Sequence, residues 1–148
     1  MQAVIRCAEK VDFNRIVDFL ETAGLGTEGI STEKLPYFLL MENSMGEIKG
    51  MMGLESFGES GLLRSLVITP DMGEKDLIFL FKEMMLLAKK RRVFNLFLAT
   101  NKKGALDFFH VLGFRETERE NLPEELVHSP HIKHILNVDN SIFLKFSF

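Results

Sequence analysis

Leu62-Leu63-Arg64-Ser65-Leu66-Val67-Ile68-Thr69-Pro70 is an apolar run that ends at a proline and feeds at once into a long helical pattern. It reads as a strand that stops at Pro70, because proline fixes its own backbone and offers no N–H to a sheet ladder. The loop behind it is Asp71-Met72-Gly73-Glu74-Lys75-Asp76. The helix then reads from Leu77 to Arg92, with Leu77, Leu80, Phe81, Met84 and Ala88 on one side. A helix start fed by a strand is a natural anion seat, since its first N–H groups have no intrahelical partner. Here that seat carries the acids Glu74 and Asp76, and Lys75 is the local cation. Lys89, Lys90, Arg91 and Arg92 suit the negative end of the same helix dipole.

Working outward, residues 3–8 read as a first strand, and Asp12 as the N-cap of a helix with Phe13, Ile16, Val17 and Leu20 on one face, closing near Gly24. Gly24-Leu25-Gly26-Thr27-Glu28-Gly29 spells a dinucleotide fingerprint by letter. It follows a helix and does not join a strand to one, so it reads as a loop on the substrate side. Tyr37–Glu42, Ile48–Phe57 and Leu62–Thr69 form a meander, turned at Asn43–Gly46 and Gly58–Gly61. Val93–Thr100 is a further strand, and Asn101 caps a helix carrying Ala105, Phe108, Phe109 and Leu112 that Gly113 closes. Phe114 opens another strand, residues 121–136 make a short helical excursion, and Ser141–Phe148 alternates as the last strand. The order predicts an α/β (α+β) fold, with a mixed, mostly antiparallel central sheet of about six to seven strands flanked by helices.

Residues 1–148, with 46% apolar and 26% charged side chains, predict a single domain. A net charge of −3 speaks against a nucleic-acid partner. No apolar run reaches the roughly 18–20 residues of a membrane helix. The N-terminus has no basic flank leading into an apolar core, and the single Cys7 excludes an intramolecular disulfide, so the expected location is cytoplasmic. Cys7 itself reads as a small core residue.

The strand 62–68 with Pro70, together with Asn101, Ala105, Phe108-Phe109 and Leu112-Gly113-Phe114, resembles the GNAT N-acetyltransferase superfamily. Within it, Leu122-Pro123-Glu124 and the later histidines resemble the small acetyltransferase-like proteins associated with arsenic resistance. The element order covers nearly the whole chain, and the motifs about a third of it. The resemblance implies acetyl-CoA as acyl donor and a small-molecule amine as acceptor. It implies a thioester beside Leu66 and Ile68 and a pyrophosphate on the turn before the long helix, with Gly73, Glu74, Lys75, Asp76, Leu77 and Ile78 as its contacts. Asn101 and Phe109 would complete the donor site.

The loop departs from the family pattern Gln/Arg-x-x-Gly-x-Gly/Ala, whose positions fall on Gly73, Asp76 and Ile78. Side chains there limit the approach of a pyrophosphate that glycine permits. Phe109 stands where the family often has a proton-donating tyrosine, and a phenyl ring has no proton to give. Two readings follow: an N-acetyltransferase with an unorthodox donor site, or an inactive descendant that binds a ligand or forms a dimer.

Glu55 is the candidate general base, and Arg64 a candidate to hold an anionic substrate. Ser65 alternates to the other face from Arg64, so both line one pocket only across a bulge. Tyr37, at a strand start, reads as a half-buried aromatic. His128, His131 and His134 recur every third residue, but Pro130 interrupts them and no Cys lies near, so no metal site is assigned. Phe143, Phe146 and Phe148 on the last strand offer a surface for a homodimer.

Overall fold

The computed structural model describes residues 3–25, 27, 30–100, 103–129, 132 and 141–148. Its strands are β1 (Val4–Cys7), β2 (Phe38–Glu42), β3 (Ile48–Phe57), β4 (Ser60–Ile68), β5 (Asn95–Thr100), β6 (Arg115–Thr117) and β7 (Ile142–Ser147). Its helices are α1 (Phe13–Thr22), α2 (Glu74–Lys90), α3 (Leu106–Leu112) and α4 (Glu124–Val127). The strands form one seven-stranded open sheet in the order β1-β2-β3-β4-β5-β7-β6. All neighbours are antiparallel except β4 and β5, which run parallel through the crossover helix α2. This is the mixed, mostly antiparallel α+β sheet that the sequence predicts.

Alternation along the strands gives the sheet two apolar faces. On one, Leu54, Leu63, Leu96 and Leu144 pack under α2 and α3 through Phe81 and Phe109. The other face is divided. Phe38, Leu40 and Met51 lie under Ile16 and Leu20 of α1, while Leu62, Phe97 and Phe143 lie under Leu126 of α4. Glu55 and Arg64 share this divided face by strand alternation, on the two strands where one cluster gives way to the other.

The longer helices end alike. After α1, Gly24 takes φ 75° and Leu25 N–H reaches Leu20 O; after α3, Gly113 takes φ 110° and Phe114 N–H reaches Phe109 O. Both are left-handed C-caps of the kind glycine favours. α2 closes the same way with a non-glycine, Arg92, at φ 60°.

The structure corrects several boundaries. α2 starts at Glu74, three residues before the expected Leu77, and ends at Lys90. β4 starts at Ser60, because Gly58 (φ 65°) and Glu59 alone make the tight turn from β3. β5 starts at Asn95. Tyr37 is the last residue of a 3-10 helix, Thr32–Tyr37, and β2 begins after it. Asp12 stands at the N-cap of α1, as expected, but its side chain makes no cap hydrogen bond there: its Oδ2 accepts the Glu9 N–H at 2.8 Å, in the 3-10 turn Lys10–Asp12 that precedes the helix. Cys7, expected in the core, is exposed at the end of β1. Part of the 24–29 loop, Asn101, Pro130, His131 and His134 lie outside the described residues.

Candidate active site

β4 and β5 pair at Ser60–Asn95, Gly61–Leu96 and Leu62–Phe97. Beyond that last pair β4 continues to Ile68 and β5 to Thr100, so the two strands part into a wedge. The cause sits in β4. Between the pairs Met51–Val67 and Gly53–Arg64 the register shifts, so that Met52 of β3 faces both Ser65 and Leu66. Ser65 takes φ 57°, the left-handed region that costs a side chain-bearing residue about 1 kcal/mol. Such a bulge bends and twists its strand, and here it turns the second half of β4 away from β5.

The bulge also places Arg64 beside Ser65, the arrangement that strict alternation forbids: Arg64 Nε donates to Ser65 Oγ at 3.2 Å. Arg64 Nη1 donates to Glu55 Oε1 at 2.9 Å. Thus the two candidate catalytic residues form a buried ion pair, with the Arg64 side chain fully enclosed. Glu55 lines a cleft of about 330 Å³ together with Glu33, Lys34, Tyr37, Ser56 and Phe57. Lys34 Nζ stands 3.9 Å from Glu55 Oε2. The Tyr37 ring is held under Arg91, whose guanidinium carbon is 4.7 Å from the ring centre. Lys34 and Tyr37 come from the 3-10 helix of residues 32–37, for which the sequence predicts no helix and whose last residue, Tyr37, it assigns to the following strand. The signal for it is one apolar residue, Leu35, fully buried under α1.

At the wedge's open end, Pro70 is second in a turn closed by Met72 N–H to Thr69 O at 3.0 Å. Asp71 pairs with Lys49 at 3.2 Å, and the Thr69 hydroxyl followed by Lys49 holds its carboxyl below the usual range. Gly73 is the N-cap of α2, and its N–H donates to Asp76 Oδ2 at 2.9 Å. The chain's own carboxylate thus takes the first donor of the helix tip. The N–H groups of Glu74 and Lys75 belong to the first turn, which has no intrahelical acceptor for them. Leu66 and Ile68 are half-buried against the α2-side core, as is Leu77, and Ile78 is also half-buried. Phe109 is buried among Phe81, Phe108 and Phe114 in edge-on ring contacts.

No family model matches the chain. It is 31% identical over 142 residues, 95% of either chain, to the uncharacterized protein YwlB of Bacillus subtilis. Its fold superposes on N-acetylglutamate synthase from Neisseria gonorrhoeae, solved with coenzyme A and N-acetyl-glutamate, with a TM-score of 0.78 and 21% identity. The chain is matched over 99% of its length there and spans 35% of that enzyme. A GNAT-family acetyltransferase from Staphylococcus aureus gives a TM-score of 0.73 at 17% identity, with 99% of each chain covered.

Proposed function

We propose, from the premise that this chain belongs to the family of the uncharacterized YwlB protein of Bacillus subtilis and has the GNAT acetyltransferase fold, that it is an acyl-CoA N-acyltransferase. It transfers an acetyl group from acetyl-CoA to a small-molecule amine. The observation that carries this reading is the parting of β4 from β5 after three residue pairs. A sheet normally satisfies its backbone groups strand to strand. The wedge leaves a slot where an extended amide-bearing arm, such as pantetheine, can bond to β4 instead. Coenzyme A is present in the solved complex of the Neisseria enzyme.

In this reading Leu66 and Ile68 flank the thioester. Backbone N–H groups facing the slot stabilise the oxyanion when the amine attacks. The attacking nitrogen gives up its proton to Glu55, the candidate base, and the departing thiolate takes one from water, since Phe109 has none to give. The pyrophosphate rests on the N–H groups of Glu74 and Lys75. Asp76 competes for that tip, and each exposed like-charge contact from Glu74 or Asp76 weakens the donor by about 1 kcal/mol.

The Asp76 cap also favours a second reading, a GNAT-fold module that has lost CoA and serves as a ligand-binding or dimer-forming protein. A thermal shift titration with acetyl-CoA separates the two. A donor present at 100 times its Kd adds about 2.7 kcal/mol of stability. Flatness of the melting curve at millimolar acetyl-CoA sinks the transferase reading. In Glu74→Gly with Asp76→Gly we expect acetyl-CoA to bind about thirtyfold tighter, read in the same titration. Unchanged affinity means that the pyrophosphate does not sit on this tip.

A further inference from the structure

We propose that the cleft over β3 is the seat of a small aliphatic primary ammonium ion, bound through Glu55 Oε2, and that Lys34 occupies this seat as an internal stand-in when no ligand is present. The proposal rests on the acyltransferase reading only for what happens to the bound amine afterwards.

The two oxygens of Glu55 have different employment. Oε1 accepts from Arg64 Nη1 at 2.9 Å. Oε2 has Lys34 Nζ at 3.9 Å, beyond hydrogen-bond reach. Glu55 is 6% exposed, yet it lines the cleft. A carboxylate with so little access to water needs partners close at hand, and among the described residues the cleft side supplies one ammonium, 3.9 Å away. The Arg64 guanidinium lies enclosed behind Glu55. It anchors the carboxylate and leaves ligand contact to the oxygen on the cleft side.

The walls indicate what suits the seat. Tyr37 and Phe57 supply aromatic rings, and Glu33 adds a second acid at the rim. Tyr37 is fixed in place by Arg91 stacked on it. About 330 Å³ is the small end of ligand cavities. Lys34, an alkylammonium on a four-carbon stem, shows the chemistry that reaches Glu55: three N–H donors on an aliphatic tail. The Lys34 side chain is 44% exposed and its pair is long, so an incoming ammonium displaces it at little cost.

The test is a titration of the full chain with n-butylammonium chloride, followed by NMR chemical shifts against matched sodium chloride and without acetyl-CoA. We expect saturable shifts at residues 33–37 and 54–57 and none from tetramethylammonium, which lacks N–H donors. Lys34→Met vacates the seat and binds the probe about threefold tighter, the scale of one displaced exposed ion pair. Glu55→Gln binds about tenfold more weakly, the loss of a charged hydrogen bond. Equal binding by Lys34→Met and the unaltered chain overturns the proposal, as does equal binding by Glu55→Gln. Should Glu55→Gln fail to fold, Lys34→Met, on a half-exposed side chain, decides alone. Amine binding with no acetyl-CoA shift condemns the transferase reading and leaves the seat standing; the converse condemns the seat alone.

Discussion

Arg6 and Arg64 each hold a nearly buried carboxylate, and the two sites are built on opposite plans. At the start of the chain, Asp12 and Glu42 are each shared by two arginines. Arg6 donates to Asp12 at 2.9 Å and to Glu42 at 2.8 Å, and Arg15 reaches the same two acids at 3.1 and 3.2 Å. Hydrogen bonding from Arg6 is the main reason that the Asp12 carboxyl is held down at about 2 and that of Glu42 is lowered. This network ties β1, β2 and the approach to α1 together, and every acid in it has a spare cation. At the cleft, Glu55 has Arg64 at 2.9 Å and, among the described residues, only the distant Lys34 on its other oxygen. One cluster is redundant and serves the fold; the other is thinly covered where a ligand would approach.

The largest effect expected from this contrast is at Arg64. Arg64→Met leaves Glu55 buried without its close partner and should cost about 3 kcal/mol in urea denaturation. Adding Glu55→Gln to it should recover part of that loss, because the stranded charge is gone. Arg6→Met should cost clearly less than Arg64→Met in the same assay, since Arg15 remains. Equal losses break the claim of redundancy.

Next in size is Asp12→Asn. The folded carboxyl titrates at about 2 against an ordinary 3.8. A depressed acid stabilises the fold at pH above its unfolded value and stops doing so as pH falls through the folded one. The substitution should therefore cost about 2 kcal/mol at pH 7. The gap between the two proteins should close between pH 4 and pH 2, the window bounded by those two values. A gap that persists at pH 2 means that the network acts through packing and not through charge. The smallest effect belongs to Asp71→Asn. Asp71 pairs with Lys49 in the open, where such pairs add little. Its melting curve should overlay that of the unaltered chain.

Periodicity made most of the fold legible. The last strand shows why: Leu144 and Phe146 pack on the α2 side and Phe143 on the other, as a period of two demands. The run 62–70 gave the strand, the turn at Pro70 and the helix behind it, with the helix start misplaced because Glu74 to Asp76 carry no apolar signal. The ion pairs were not legible. Arg6 meets Glu42 across 36 positions, a distance that only the register of β1 on β2 creates. The pairing of Glu55 with Arg64 depends on the register of β3 on β4, and the approach of Ser65 on a bulge that no residue type there announces. The helix of residues 32–37 was missed because a single turn has too few positions to show a period.

The early parting of β4 from β5 gives the sheet four edges where an ordinary open sheet has two. The outer pair are short, four residues in β1 and three in β6, which limits recruitment of strands from other molecules. The inner pair are the stretch of β4 after Leu62 and the three residues of β5 after Phe97, mostly apolar and of the kind that would invite aggregation on the outside of a protein. Their protection is that they face each other across a tapering gap closed at one end, so a passing chain cannot lie down along either one.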